Sequence, residues 1–146
     1  MIRVVDASVA AKWYLQEPFS EECMRVLKGP DTIAVPELID AQVGHMLWQR
    51  VKTHQLSVLE AERILRNLKA LPIKRIPIIN LAEDALAVAS ATTRTFDEAL
   101  YLALAMRHRT QLITADRTWY HLVKTGTTGP LVPLRPRIAR EGPWCR

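Results

Sequence analysis

The stretch Ile2-Arg3-Val4-Val5-Asp6-Ala7-Ser8 sets β-branched residues directly before a carboxylate. Such a run reads as a short strand buried on both faces, the kind found inside a parallel sheet. Asp6 then stands at the strand's carboxyl end, where losing water is costly for a charged group unless a cation compensates it. The same form recurs late in the chain as Leu112-Ile113-Thr114-Ala115-Asp116. In open sheets built from strand–helix–strand units, ligands bind beyond the carboxyl ends of the strands, near the point where strand order reverses. Asp6 and Asp116 are therefore expected at the same edge.

Working outward, strands are expected at 2–5, 32–35, 75–79, 111–114 and 131–134, with Pro77 suiting an edge position. Helices fill the gaps. One runs from Ser8 toward Pro18, and another covers 20–27 before Gly29-Pro30. Pro36 opens a third, whose Ile39, Val43, Met46 and Leu47 fall on one stripe together with Gln42. Ser57-Val58-Leu59-Glu60 has the form of a capping box, and Ala61, Ile64, Leu65, Leu68 and Leu71 make the inward side of the helix behind it. Asn80 can cap a helix over 81–91, and Thr95 one that reaches Arg109. That last helix is apolar nearly all round and is expected to be central. A short helix over 119–124 completes the alternation. Strands alternating with helices predict a three-layer α/β/α fold around a mostly parallel sheet.

The 146 residues suit one domain, read as 1–134 followed by a basic tail at 135–146 with Arg135, Arg137, Arg140 and Arg146 against Glu141. The net charge of +5 fits a polyanionic partner, nucleic acid first. No apolar run approaches the roughly 20 residues of a bilayer span, and no signal peptide precedes the first strand, so a cytoplasmic protein without a membrane role is expected. Cys23 and Cys145 are read as reduced thiols. The histidines, His45, His54, His108 and His121, have no zinc-binding context, and GxGxxG and Walker loops are absent.

Candidate chemistry rests on oxygen ligands. Asp6 has an alternative role as a helix cap, although Ser8 can serve there. Asp97 and Glu98 lie in a helix's first turn, where the helix dipole favours negative charge, and Glu98 also fits a capping box with Thr95. Gln42 has the alternative of an interior hydrogen-bonded amide. Taken together, Asp6, Gln42, Asp97 or Glu98, and Asp116 suggest an acidic pocket for Mg²⁺ or Mn²⁺, which favour hard oxygen ligands. Acids under a basic surface suit metal-assisted cleavage of a phosphodiester. Lys12 and Arg117, sequence neighbours of these acids, are candidate RNA phosphate contacts.

Val4-Val5-Asp6-Ala7-Ser8, Val35-Pro36-Glu37-Leu38, Ala99-Leu100-Tyr101-Leu102-Ala103-Leu104-Ala105 and Leu112-Ile113-Thr114-Ala115-Asp116-Arg117 resemble the motifs of PIN-domain ribonucleases, and most closely the VapC toxins of toxin–antitoxin pairs. The resemblance spans about 4–134. It implies a divalent-metal-dependent endoribonuclease with Asp6, Glu98 and Asp116 as metal-holding acids and Asp97 as the alternative third acid. Ser8 and Thr114 match the small hydroxyl residues that support the carboxylates. Gln42 stands where the family has a glutamate, so the pocket has one charge fewer and a weakened activity is expected. The resemblance also implies a homodimer and a VapB-type antitoxin whose C-terminal segment blocks the pocket. The rival readings are a non-catalytic PIN-like module that binds RNA or protein, and a phosphoacceptor receiver domain. The receiver reading is disfavoured because Ala7, not a second acid, follows Asp6 and no lysine closely follows Ile113.

Overall fold

The computed structural model describes residues 1–118 and the strand Arg137–Ile138. Strands β1 (Ile2–Val5), β2 (Thr32–Pro36), β3 (Lys74–Ile76), β4 (Leu112–Thr114) and β5 (Arg137–Ile138) form one sheet in the order β3-β2-β1-β4-β5. Every pairing is parallel. The chain starts in the middle of the sheet, builds toward β3, and returns to the other side of β1 with β4. Strand order therefore reverses between β1 and β4, and that reversal opens the crevice beside Asp6.

Alternation along the strands divides the core into two layers. Val5, Ile33, Val35 and Ile113 face a cluster with α1 (Ala7–Lys12), α2 (Ser20–Lys28), α3 (Leu38–Lys52) and α4 (Val58–Ala70). Val4, Ala34 and Leu112 face the opposite way, onto α5 (Ala82–Thr92) and α6 (Phe96–Arg107). Helix α6 is central, as its composition requires, with every residue from Ala99 to Ala105 buried. The three-layer α/β/α architecture expected from the sequence is the one observed.

Several boundaries differ from the sequence reading. The first helix ends at Lys12, and its carboxyl cap is Trp13, whose indole N–H donates to the Cys23 carbonyl at 2.9 Å. Strand β3 stops at Ile76 because Pro77, the residue after it, has no N–H to continue the ladder. Residues Ile78–Asn80 form a 3₁₀ turn instead of more strand. Leu65, placed on the inward side of α4, is 37% exposed, while Ala61 and Leu68 are buried. Strand β5 falls inside the segment assigned to the tail, so the sheet extends past residue 134. The expected helix over 119–124 and strand over 131–134 lie outside the described residues.

Two ionic contacts fix α3, the helix that carries Gln42. Arg75 Nε and Nη2 donate to the two Asp40 carboxylate oxygens at 2.7 and 3.0 Å, and Nη2 also donates to the Leu68 carbonyl at 2.9 Å. This ties α3, α4 and β3 together. On the other side, Glu17 receives Lys12 at 2.7 Å through one oxygen and Arg50 through the other. Arg75→Ala is expected to cost about 1–2 kcal/mol in urea unfolding, because the pair is bidentate yet partly solvated. Arg75→Lys should recover only part of this, since an ammonium cannot span both oxygens and the carbonyl. An unchanged unfolding midpoint for Arg75→Ala would contradict the assignment.

Candidate metal centre

At the reversal point, Asp6 continues the β1–β4 ladder by donating its backbone N–H to the Ile113 carbonyl at 3.2 Å. The chain then turns into α1 with Asp6 as the cap residue. Asp6 Oδ1 accepts the Val9 N–H at 3.1 Å, so Asp6 does the capping and Ser8 does not. Ser8 Oγ instead donates to Asp6 Oδ1, and Thr114 Oγ1 donates to Asp6 Oδ2. Both hydroxyls are themselves held by backbone groups. The Ala115 N–H donates to Ser8 Oγ at 3.0 Å, and the Asp116 N–H donates to Thr114 Oγ1 at 3.0 Å. Two hydroxyl relays therefore join the end of β4 to the Asp6 carboxylate.

Asp6 is 4% exposed, and among the described residues no ion pair reaches it. Burial pushes its carboxyl up from 3.8 to about 6, against the lowering effect of the hydrogen bonds from Ser8, Thr114 and Val9; the Asp116 charge pushes it further up. Burial thus outweighs three hydrogen bonds, and the neighbouring carboxylate adds to the imbalance. Among the described residues, no lysine or arginine lines the pocket around Asp6.

Asp6, Ala7, Ser8, Gln42, Met46, Glu98, Tyr101 and Asp116 line one open pocket of about 260 Å³. The fold thus brings Asp6, Gln42, Glu98 and Asp116 together. Asp97 is exposed and is not in that lining, so helix register favours Glu98 over Asp97. Glu98 is nevertheless tied down: the Thr95 N–H donates to its Oε2 at 3.2 Å, completing a capping box. Among the described residues no three Asp, Glu, His or Cys side chains come close enough to share one ion. Asp6, Glu98 and Asp116 line one pocket, while one Glu98 oxygen is also used to close the first turn of α6.

The remaining donors fit a hard divalent ion in a looser form. Asp6 is a buried carboxylate with no ion pair among the described residues and with Asp116 beside it. Mg²⁺ commonly takes one or two protein carboxylates and keeps water or phosphate in its other positions. Asp6 and Asp116 meet that requirement, and Glu98 adds negative charge at the rim.

The other expected residues fall as follows. Lys12 is absent from the pocket lining and is only 14% exposed, with its ammonium matched by Glu17. Arg117 is exposed, immediately after Asp116. Tyr101 was not singled out for chemistry from the sequence. It is 2% exposed, and its hydroxyl donates to Gln42 Oε1 at 2.6 Å. The available signal was the one polar atom within the otherwise apolar run 99–105.

The shift at Asp6 gives a pH-dependent stability of definite sign. The folded carboxyl binds its proton more tightly than the unfolded one, so the contribution is full below the unfolded value of 3.8 and is lost as pH rises through about 6. A gap of that size is worth on the order of 3 kcal/mol. Without divalent ions, Asp6→Asn should therefore be more stable than the parent above pH 6 by about 1–3 kcal/mol, with the gain disappearing below about pH 4. Urea unfolding in a chelator at both ends of this range checks it. An Asp6→Asn protein that is less stable at neutral pH would contradict the uncompensated carboxylate.

A family profile described as PIN domain matches residues 3–124. Ribonuclease VapC3 of Pyrobaculum aerophilum is 32% identical over 118 residues, covering 78% of this chain and 88% of that protein. Ribonuclease VapC9 of Mycobacterium tuberculosis is 29% identical over 134 residues, covering 92% of this chain and 98% of that protein. Among solved structures, a toxin–antitoxin complex from Klebsiella pneumoniae superposes with a TM-score of 0.61 at 20% identity, covering 93% of this chain and 99% of the matched one. At that identity the superposition speaks for the fold. The profile takes in both acids at the strand-order reversal and the two hydroxyls that hold Asp6, so the chain belongs to the PIN-domain family, on its VapC side.

Proposed function

We propose that this protein is a divalent-metal-dependent endoribonuclease acting as the toxin of a type II toxin–antitoxin pair in the cytoplasm. The observation that carries the reading is the buried Asp6 carboxylate, held by Ser8 and Thr114 beside Asp116, with no ion pair to it among the described residues. Asp6 and Asp116 would hold the ion, Mg²⁺ or Mn²⁺. When bound, such an ion supplies Lewis-acid chemistry: water activation and neutralisation of charge at the scissile phosphate. The chain's residues set the geometry. Ser8 and Thr114 fix both Asp6 oxygens, so the carboxylate has little freedom to reorient when the ion enters. Glu98 keeps the rim negative, and the exposed Arg117 beside Asp116 is positioned by sequence to meet a phosphate. Lys12 is left out of this role because Glu17 matches its charge.

Support for RNA as substrate comes from relatives named ribonucleases and from the net charge of +5. Support for an antitoxin partner of the VapB type comes from a fold neighbour described as a toxin–antitoxin complex. A homodimer belongs to the same reading. Gln42 leaves the pocket one carboxylate short of the family pattern, so the ion is held less tightly and turnover is slow.

A second reading, a PIN-like module that binds RNA or protein without cleaving it, is favoured by Gln42 and by the engagement of Glu98 in its helix cap. Cleavage of single-stranded RNA with added Mn²⁺ separates the two. The nuclease reading expects cleavage that a chelator abolishes, that falls at least about 100-fold in Asp6→Asn or Asp116→Asn, and that falls about 10–100-fold in Thr114→Val through loss of carboxylate orientation. If the parent and Gln42→Glu both bind Mn²⁺ and neither cleaves, the binding-module reading replaces it.

A further inference from the structure

The pocket contains an asymmetry of hydrogen-bonding capacity. Asp6, Glu98 and Asp116 are acceptors when ionised. Ser8 Oγ already donates to Asp6 and receives the Ala115 N–H. The Tyr101 hydroxyl proton is committed to Gln42 Oε1 at 2.6 Å. Gln42 makes no other hydrogen bond among the described residues, so its amide nitrogen keeps two unused protons. It is therefore the side chain in the lining with donors to give.

Tyr101 is anchored in the buried run of α6, and Gln42 lies on α3, which Arg75 and Glu17 clamp. The amide orientation is thus set by the Tyr101 hydroxyl on the facing helix. An N–H₂ group turned toward a cation is repelled by it, whereas a phosphate oxygen only accepts and is met by the same group. Resting on the nuclease reading above, we propose that Gln42 is a substrate-contacting residue. Its amide nitrogen, oriented by Tyr101, donates to a non-bridging phosphate oxygen of the RNA strand crossing the pocket. The position that carries a carboxylate in the family pattern then serves the anion and not the ion. The opposite amide orientation, with nitrogen on the tyrosine and oxygen toward the pocket, would make Gln42 an ion ligand.

Two separate binding measurements decide between these. Mn²⁺ affinity is measured by calorimetry without RNA. RNA affinity is measured by anisotropy of a fluorescein-labelled single-stranded RNA, with Ca²⁺ in place of Mn²⁺. Gln42→Ala should leave the Mn²⁺ Kd within about twofold and weaken RNA by about tenfold, the value of one hydrogen bond to a charged oxygen. Gln42→Met, which keeps the length and lacks the donor, should match it if alanine disturbs α3. Tyr101→Phe, which frees the amide to rotate, should weaken RNA in the same direction. Gln42→Glu should tighten Mn²⁺ and weaken RNA, raising kcat and KM together. The reverse pattern, with Mn²⁺ weakened and RNA unchanged in Gln42→Ala and Gln42→Met, overturns the proposal while leaving the nuclease reading intact. A parent protein that takes up no Mn²⁺ overturns both.

Discussion

The rest of the molecule depends on one unfavourable placement: a carboxylate taken out of water at the end of the central strand, with hydrogen bonds but, among the described residues, no cation to balance it. Three donors reach Asp6, and burial still wins, because neutral hydrogen bonds lower the cost of ionisation by less than desolvation raises it. Asp116 makes the balance worse. The fold keeps two acids side by side and relays backbone N–H groups to one of them through Ser8 and Thr114, which is the arrangement the proposed cation would meet.

That placement follows from topology. Starting the chain in the middle of the sheet and returning beside β1 leaves β1 and β4 as neighbours, so two residues over a hundred positions apart reach one edge. The helices then close the pocket from opposite layers. α3 brings Gln42 and Met46 from one side of the sheet, and α6 brings Glu98 and Tyr101 from the other. The Tyr101–Gln42 hydrogen bond is where the two layers meet over the site. Partly buried ionic contacts at Arg75 and Glu17 tie α3 to β3 and α1.

Much of this was legible in the chain itself. The alternation of apolar strands with amphipathic segments fixes the layering, because each period assigns its residues to a face. Carboxylates that end apolar strands single out Asp6 and Asp116 as candidates, and both line the same pocket, although Asp6 also caps α1. What was hidden depends on side-chain competition. Asp6 caps α1 although Ser8 offers the same chemistry, and Ser8 is turned to hold the carboxylate instead. Glu98 has two possible roles on one residue, and the capping box takes one of its oxygens, which no spacing rule decides. Lys12 stands near Asp6 in sequence, yet its long side chain reaches Glu17, a residue that sequence proximity to the acids did not bring into view. Tyr101 reads as core because its ring is core; only its hydroxyl reaches the pocket, through Gln42.

The most direct measurement is a ¹³C NMR titration of the Asp6 side-chain carboxyl, first in a chelator and then with Mg²⁺. The account predicts a midpoint near 6 without the ion, as burial requires, and a fall toward or below the ordinary carboxylate range when the ion is present. A midpoint near 3.8 that Mg²⁺ leaves unmoved would show a carboxylate already compensated, and would contradict the claim that this site is built to receive a cation.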